Sequence, residues 1–243
     1  MTERLDALLV RRGLAASRAR ARRLIEAGAV RVDGAVVAKS ARRVAHDSDI
    51  QLDEPDIPYV SRAGLKLEAA LDQLGLEPMG ARAVDIGAST GGFTDLLLQR
   101  GARAVVTVDV GTAQLHDRLR GDDRIRVLEG TDIRRAEPHF LGAPFDWLVA
   151  DLSFIGLGPV LPHLRGLVGP GATVLVLVKP QFEVGSRGVD GRGIVRDAGA
   201  RQAALERVRG QAGAAGFRCG TALEVPIPGE AGNREYFLSL API

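Results

Sequence analysis

Apolar residues recur along this chain with two periods, and the period changes with position. In "ERLDALLVRRGLAAS", Leu5, Leu8 and Leu9 fall on one helical face, Gly13 can stop the helix and Ser17 can cap the next. "SRARARRLIEAGAVRVDG" continues as a second helix with Leu24 and Ile25 inward, and Gly28 ends it. "AVRVDGAVVAKS" then reads as a tight hairpin, with Asp33-Gly34 as the turn between short β runs. In "DEPDIPYV" the prolines at 55 and 58 cannot continue a helix, so they mark a boundary. The pattern predicts a small α+β module over 1–52, a linker over 53–60 and a larger domain over 61–243.

From residue 61 onward, short aliphatic runs alternate with amphipathic stretches. "SRAGLKLEAALDQLGL", "FTDLLLQRG", "VLPHLRGLV" and "ARQAALERVRGQAGAAG" read as helices. "AVDIG", "AVVTVDVG", "IRVLEG", "FDWLVADLSF" and "ATVLVLVK" read as strands, with closing strands near 217–224 and 235–241. Such alternation predicts a doubly wound α/β sheet covered on both faces, whose ligands sit at the C-terminal ends of the strands. The residues that end each strand are therefore the ones to read for chemistry.

Composition narrows the setting. At 243 residues, 46% hydrophobic and 26% charged, the chain is ordinary for a globular protein of one good-sized domain plus a small one. A single cysteine, Cys219, excludes an intramolecular disulfide and fits a reducing compartment. No run approaches the ~20 apolar residues needed to span a bilayer. Glu3, Arg4 and Asp6 occupy the place where a signal peptide needs its apolar segment, so the cytoplasm is the expected location.

Charge is unevenly placed. Residues 1–50 hold 11 of the 32 basic residues but 6 of the 30 acidic ones. A basic module joined to a near-neutral body points to nucleic acid as partner, with Arg4, Arg11, Arg12, Arg18, Arg20, Arg22, Arg23, Arg31 and Lys39 as its candidate contacts. The same arginines also fit plain solvated helix faces.

Three strand ends carry candidate cofactor chemistry. In "AVDIGASTGGFTDLL", a strand ends near Asp85, Gly87 opens a turn, and Gly91 and Gly92 permit close backbone approach ahead of a helix beginning near Phe93. Ala88, Ser89 and Thr90 complete the loop. Its glycines match neither G-x-G-x-x-G nor a G-K-[ST] phosphate loop. With an acidic residue before the first glycine, the loop fits a cationic ligand without pyrophosphate, such as S-adenosylmethionine; a structural turn is the plainer alternative. Asp109, followed by Val110, lies 22 residues after Gly87, the spacing at which a carboxylate reaches ribose hydroxyls. Asp132 in "RVLEGTDIR" could accept from an adenine amino group or simply cap a helix.

The first 50 or so residues resemble the S-four-like RNA-binding domain through Arg4, Leu5, Asp6, Ser17, Arg18, Gly28, Val30, Val32, Asp33 and Gly34. The three strand ends resemble the S-adenosylmethionine-dependent methyltransferases. Residues 61–243 further resemble their FtsJ-like branch through "SRAGLKL", "DIGASTGGFTDLLLQRGA", "VDVG", "DLSFI", "LVKPQFE" and "GNREYF". Together the two parts look like the TlyA (haemolysin A) family. That resemblance implies a Rossmann-like class I methyltransferase fold with a mostly parallel seven-stranded sheet. It also implies 2′-O-methylation of cytidine ribose in 16S and/or 23S ribosomal RNA, with ribosomal subunits as partners. It supplies a catalytic tetrad as well, matched here by Lys66, Asp151, Lys179 and Glu235, with Asp151 also at the cofactor.

Residue usage points the same way. The chain holds 29 arginines and three lysines, and two of those lysines, Lys66 and Lys179, fall on tetrad positions. Arginine stays protonated, whereas a buried lysine can titrate, as deprotonation of a weakly acidic ribose hydroxyl requires. Lys179 is expected as general base or alkoxide stabiliser with Asp151 orienting it, and Lys66 and Glu235 hold the ribose. No metal is expected, because His46, His116, His139 and His163 lack ligand spacing, and no obligate protein partner is evident in the sequence. Glycines 185, 188, 191 and 193 with Arg187, Arg192 and Arg196 suggest a mobile basic loop over the cleft, or merely a surface loop. Three rival classes follow from single features: a nicotinamide dehydrogenase, a non-catalytic RNA-binding or ribosome-assembly factor, and a membrane-active haemolysin.

Overall fold

The computed structural model describes residues 2–15, 18–26, 28–52, 57–185, 188–229 and 231–243. Ser17, Pro55 and Arg187 lie outside the described residues, as do the side chains of Arg20 and Arg23. The chain separates into two compact units, Met1–Pro58 and Tyr59–Ile243.

The first unit runs β1 (Thr2–Arg4), α1 (Leu5–Arg11), α2 (Arg18–Glu26), β2 (Val30–Val32), β3 (Ala35–Val36), β4 (Arg43–Ala45) and β5 (Ile50–Leu52). The helical spacing of Leu5, Leu8 and Leu9 places all three in a core closed by Ala21, Ile25, Val30, Val32, Val37 and Val44. Asp33 and Gly34 both have positive φ, 50° and 80°, the geometry that lets a two-residue turn follow the twist of β2 and β3. The pairing of β1 with β4 and of β2 with β5 was not read from the sequence. Strands of three residues are too short to show alternation.

The second unit comprises α3 (Arg62–Leu74), β6 (Arg82–Ile86), α4 (Gly92–Gln99), β7 (Ala104–Val108), α5 (Asp117–Arg120), β8 (Ile125–Leu128), α6 (Pro138–Leu141) and β9 (Phe145–Ala150). It continues with α7 (Leu161–Arg165), β10 (Val168–Val178), α8 (Pro180–Glu183), α9 (Ala198–Ala214), β11 (Phe217–Glu224) and β12 (Tyr236–Pro242). Its seven strands lie in the order β11-β12-β10-β9-β6-β7-β8. From β10 to β8 neighbours are parallel, and β12 runs antiparallel to both β10 and β11. This is the doubly wound, mostly parallel sheet that the strand–helix alternation predicts.

Both faces of the sheet are buried, which explains why its strands read as continuous aliphatic runs. On one face Val84, Leu148, Val174 and Val176 meet Leu161, Leu164, Leu205 and Val208 of α7 and α9. On the other, Ala83, Val149, Leu175 and Leu177 meet Leu67, Leu71, Leu96 and Leu97 of α3 and α4. Each such side chain contributes about 1.5–3 kcal/mol relative to exposure, enough to fix strand register and hence the positions of the strand ends. The chain leaves β6 towards β7 on one side and returns to β9 on the other, so a switch point falls between β6 and β9.

Candidate active site and nucleic-acid interface

At the switch point the turn after β6 is compressed against its neighbour. Gly87 has φ 81°, and a Cβ there would overlap the backbone carbonyl of Asp151, the residue that follows β9. Asp151 in turn donates its N–H to the Ile86 carbonyl at 2.9 Å. Gly91, with φ 92°, caps α4 and sits beneath Leu115 and Leu119. Only glycine serves at these two positions, because both the left-handed backbone and the close approach exclude a side chain.

Beneath the loop, Asp85 is fully buried. One of its oxygens accepts from the Thr94 amide at 3.1 Å and hydroxyl at 2.7 Å, while Oδ1 has no protein partner. Burial pushes its carboxyl up to about 7, opposed by the Thr94 hydroxyl and reinforced by the charge of Asp151. An unpartnered buried carboxylate oxygen under a glycine turn and a helix N-terminus is a feature that a cationic ligand would satisfy. Ala88 is buried and Thr90 exposed, whereas the Phe93 ring packs in the core 5.7 Å from Phe237, so Phe93 has only its backbone to offer the loop.

Asp109 follows β7 and ties two loops together. Its carboxylate accepts from the Ser89 amide at 2.8 Å and the Gly111 amide at 2.7 Å. Beside it Val110 is 71% exposed, an apolar surface at the cleft. Asp132 lies beyond the end of β8 rather than at it. Its carboxylate is occupied by the Arg134 amide at 3.0 Å and guanidinium at 2.7 Å; it closes a turn and caps no helix, since α6 starts at Pro138 with Glu137 before it. The carboxylate that does meet the loop after Asp109 is Glu129, which the motif reading passed over.

The four tetrad positions resolve into two ion pairs. Lys179, directly after β10, pairs with Asp151 and donates to the Ser153 hydroxyl at 3.0 Å. Lys66, on α3, donates to Glu235 at 2.8 Å, and the Gln181 amide approaches the same carboxylate at 3.4 Å. Register brings the pairs to adjacent strand ends, since Val178 faces Tyr236 and Lys179 and Glu235 are the next residues out. Pro180 takes the first position of α8, where its missing N–H costs nothing, and turns the chain away after the lysine.

Two neighbouring features escape the sequence reading. In its described part the glycine-rich loop is cross-linked by side chains. Asp190 accepts from the Arg192 and Ile194 amides and the Arg196 guanidinium, while Asn233 bonds both Val195 and Gly193 at 2.9 Å. These bonds tie the described part of the loop to Asp190 and Asn233. Phe154, just past Ser153, is 92% exposed with φ 67°, its ring 5.7 Å from Phe182. A bulky residue in that backbone region with its ring in solvent is uncommon, and no periodicity could have marked it.

In the first unit the candidate RNA-contacting arginines differ in role. Buried Asp6 accepts from Arg4 at 3.0 Å, Arg18 at 3.1 Å and Arg22 at 3.2 Å, leaving all three guanidiniums about half exposed. Those arginines hold the Asp6 carboxyl well below its usual range against the opposing cost of burial. Arg11 pairs with Glu3 at 2.9 Å, and Arg12 is engaged by the carbonyls of His46 and Ser48. Arg31 bonds the Gly34 carbonyl, and Lys39 is exposed. An open pocket of about 480 Å³ is lined by Arg4, Arg11, Arg18, Arg43 and His46.

Among the described residues no His, Cys, Asp and Glu group is arranged to hold a metal, and no helix is long and apolar enough to cross a membrane.

Comparison with known proteins places this geometry. Residues 59–241 match the model of the FtsJ-like methyltransferases, and residues 3–50 match that of the S4 domain. The chain is 45% identical to the Mycobacterium tuberculosis 16S/23S rRNA (cytidine-2′-O)-methyltransferase TlyA, covering 98% of this chain and 89% of that one. It is 35% identical to hemolysin A of Brachyspira hyodysenteriae, over 96% and 97% of the two chains. A Streptococcus thermophilus structure described as a candidate hemolysin superposes with TM-score 0.79 at 40% identity, covering 99% of this chain and 88% of that one. The chain therefore belongs to the FtsJ-like methyltransferase family, among the members that carry an S4 domain and are named TlyA or hemolysin A.

Proposed function

We propose that this protein is an S-adenosylmethionine-dependent 2′-O-methyltransferase acting on cytidine ribose in ribosomal RNA, with ribosomal RNA or its subunits as substrate and the cytoplasm as its place of work. The observation that carries the proposal is Lys179, held by Asp151 and Ser153 at the end of a central strand beside the glycine turn. The names of the relatives supply the substrate class.

The cleft fits the methyl donor. Asp85, with its unpartnered oxygen, and the turn from Gly87 to Gly92 suit the cationic end. Asp109 keeps free lone pairs for ribose hydroxyls, and the exposed Val110 offers an apolar face to adenine. When bound, the donor supplies an electrophilic sulfonium methyl. The residues of this chain then have three tasks. Lys179 receives the hydroxyl proton or steadies the developing alkoxide, as its position beside Asp151 allows. Lys66 and Glu235 form a fixed polar wall for the ribose. Phe154, backed by half-buried Phe182, presents an exposed aromatic surface on which an unstacked base can rest. The arginines gathered by Asp6 neutralise phosphates without reading bases.

Mapping 2′-O-methyl groups in ribosomal RNA from cells with and without the gene tests the reading. Loss of one or more methylcytidines on deletion is expected, and identical maps would overturn it.

A further inference from the structure

The loop that follows Asp109 is held by a residue outside the recognised motifs. Glu129 comes directly after β8, the strand beside β7. One of its oxygens accepts from the amides of Gln114 at 2.8 Å and Leu115 at 3.1 Å, and the other accepts from Ala113 at 2.9 Å. Arg120 adds a guanidinium at 2.7 Å. Three consecutive backbone N–H groups converging on one carboxylate form a nest whose anion is a side chain of the protein itself. Ala113 has φ 54°, a left-handed conformation that an alanine adopts only when its surroundings impose it. These bonds, led by the Leu115 amide and the Arg120 guanidinium, keep the Glu129 carboxyl ionised down to about 2.

The loop so held forms one lip of the cleft. Its first residues receive Asp109, which bonds both Gly111 and Ser89. Its last part bonds the glycine turn through the His116 amide and the Thr90 carbonyl at 3.2 Å, while Leu115 and Leu119 sit over Gly91. The ends of β6, β7 and β8 thus form one connected unit, and its outer anchor is Glu129.

We infer that Glu129 is a positioning residue for the nucleoside half of the methyl donor: it fixes the 110–116 loop so that Asp109 and Val110 meet ribose and adenine. The inference rests on the proposed function. A group that acts only through this loop changes donor affinity and leaves the transfer step alone, so the variants separate KM from kcat.

Calorimetric titration with S-adenosylhomocysteine and with 5′-methylthioadenosine, alongside steady-state kinetics, tests the assignment on the full chain. Glu129→Gln replaces an acceptor with a donor facing the Ala113 amide; Arg120→Met loosens the same nest more gently. Glu129→Gln should weaken both ligands by about tenfold or more, the scale of losing bonds to a charged acceptor. It should raise the KM for donor to match while kcat at saturation is retained. Asp146→Ala, which removes the side-chain acceptor of the Arg82 amide at the opposite end of the sheet, serves as a control for general loosening. An unchanged Kd in Glu129→Gln, a loss confined to kcat, or an equal loss of affinity in Asp146→Ala would overturn the inference. Failure of the unaltered protein to bind either ligand would instead overturn the function on which it rests.

Discussion

In the N-terminal unit one buried carboxylate, Asp6, gathers the guanidiniums of Arg4, Arg18 and Arg22 and leaves them half in water. At the strand ends of the C-terminal unit two lysines are drawn largely inside, and each meets its own carboxylate. The cation type follows the task. Guanidiniums around a fixed anchor present a charged surface that needs no change of protonation, which suits phosphate binding. Ammonium groups held near strand ends, each beside its own carboxylate, suit a role that depends on position. Loss of one cation should therefore be gradual in the first unit and abrupt in the second.

The sharpest break in that contrast is Lys179→Ala. Single-turnover methyl transfer should fall by roughly a thousandfold or more, the combined scale of proton transfer and charge stabilisation, while calorimetric donor affinity is kept. Retained turnover would place the lysine with the surface arginines. Next in size is Glu235→Gln, which strands the Lys66 ammonium in a largely buried site and should cost about 3–5 kcal/mol in denaturant unfolding. Lys66→Met combined with Glu235→Met should recover most of that stability but not the activity. A single variant as stable as the parent would mean the pair is effectively solvated.

Replacing Arg4, Arg18 and Arg22 together by Gln in an Asp6→Asn background, which leaves no buried carboxylate unpaired, should leave kcat unchanged at saturating RNA. It should reduce the slope of log affinity against log salt by about 2–3, close to one per lost phosphate contact. A loss restricted to particular RNA sequences would contradict a phosphate role. Asp6, whose folded carboxyl is depressed, stabilises the first unit above its unfolded pKa near 4 and loses that contribution as pH falls. Circular dichroism should show an acid transition that Asp6→Asn removes.

The smallest effect concerns Asp85, raised to about 7. Between roughly pH 4 and 7 the folded protein holds a proton there that the unfolded chain releases, so this group's contribution to stability declines as pH rises through that window. A cationic donor favours the ionised form. Affinity for S-adenosylmethionine should thus increase as pH rises through about 7, with proton release measurable by titration in two buffers, and Asp85→Asn should abolish the dependence.

Much of this arrangement is legible in the sequence because the sheet is buried on both faces and its strands are uninterrupted aliphatic runs. The glycine turn, Asp109 and Lys179 could be found because each stands at the end of such a run. What escaped did so for physical reasons that differ from case to case. Helices of four residues, such as α5, α6 and α8, are too short to show a period. Glu129 bonds backbone amides, which leave no trace in residue type. The pairing of Lys66 with Glu235 spans 169 positions and depends on register between β10 and β12. Resemblance supplied those two residues, and coordinates supplied their partnership. Phe154 was hidden for the opposite reason, since its exposure violates the rule by which a phenylalanine is assigned to the core.

The central claim is that this protein transfers a methyl group to a cytidine 2′-oxygen. Incubating the protein with methyl-tritiated S-adenosylmethionine and undermethylated ribosomal subunits, then digesting the RNA to nucleosides, tests it most directly. The account predicts label in 2′-O-methylcytidine. Label in a methylated base, or none with donor bound and intact subunits present, would contradict it.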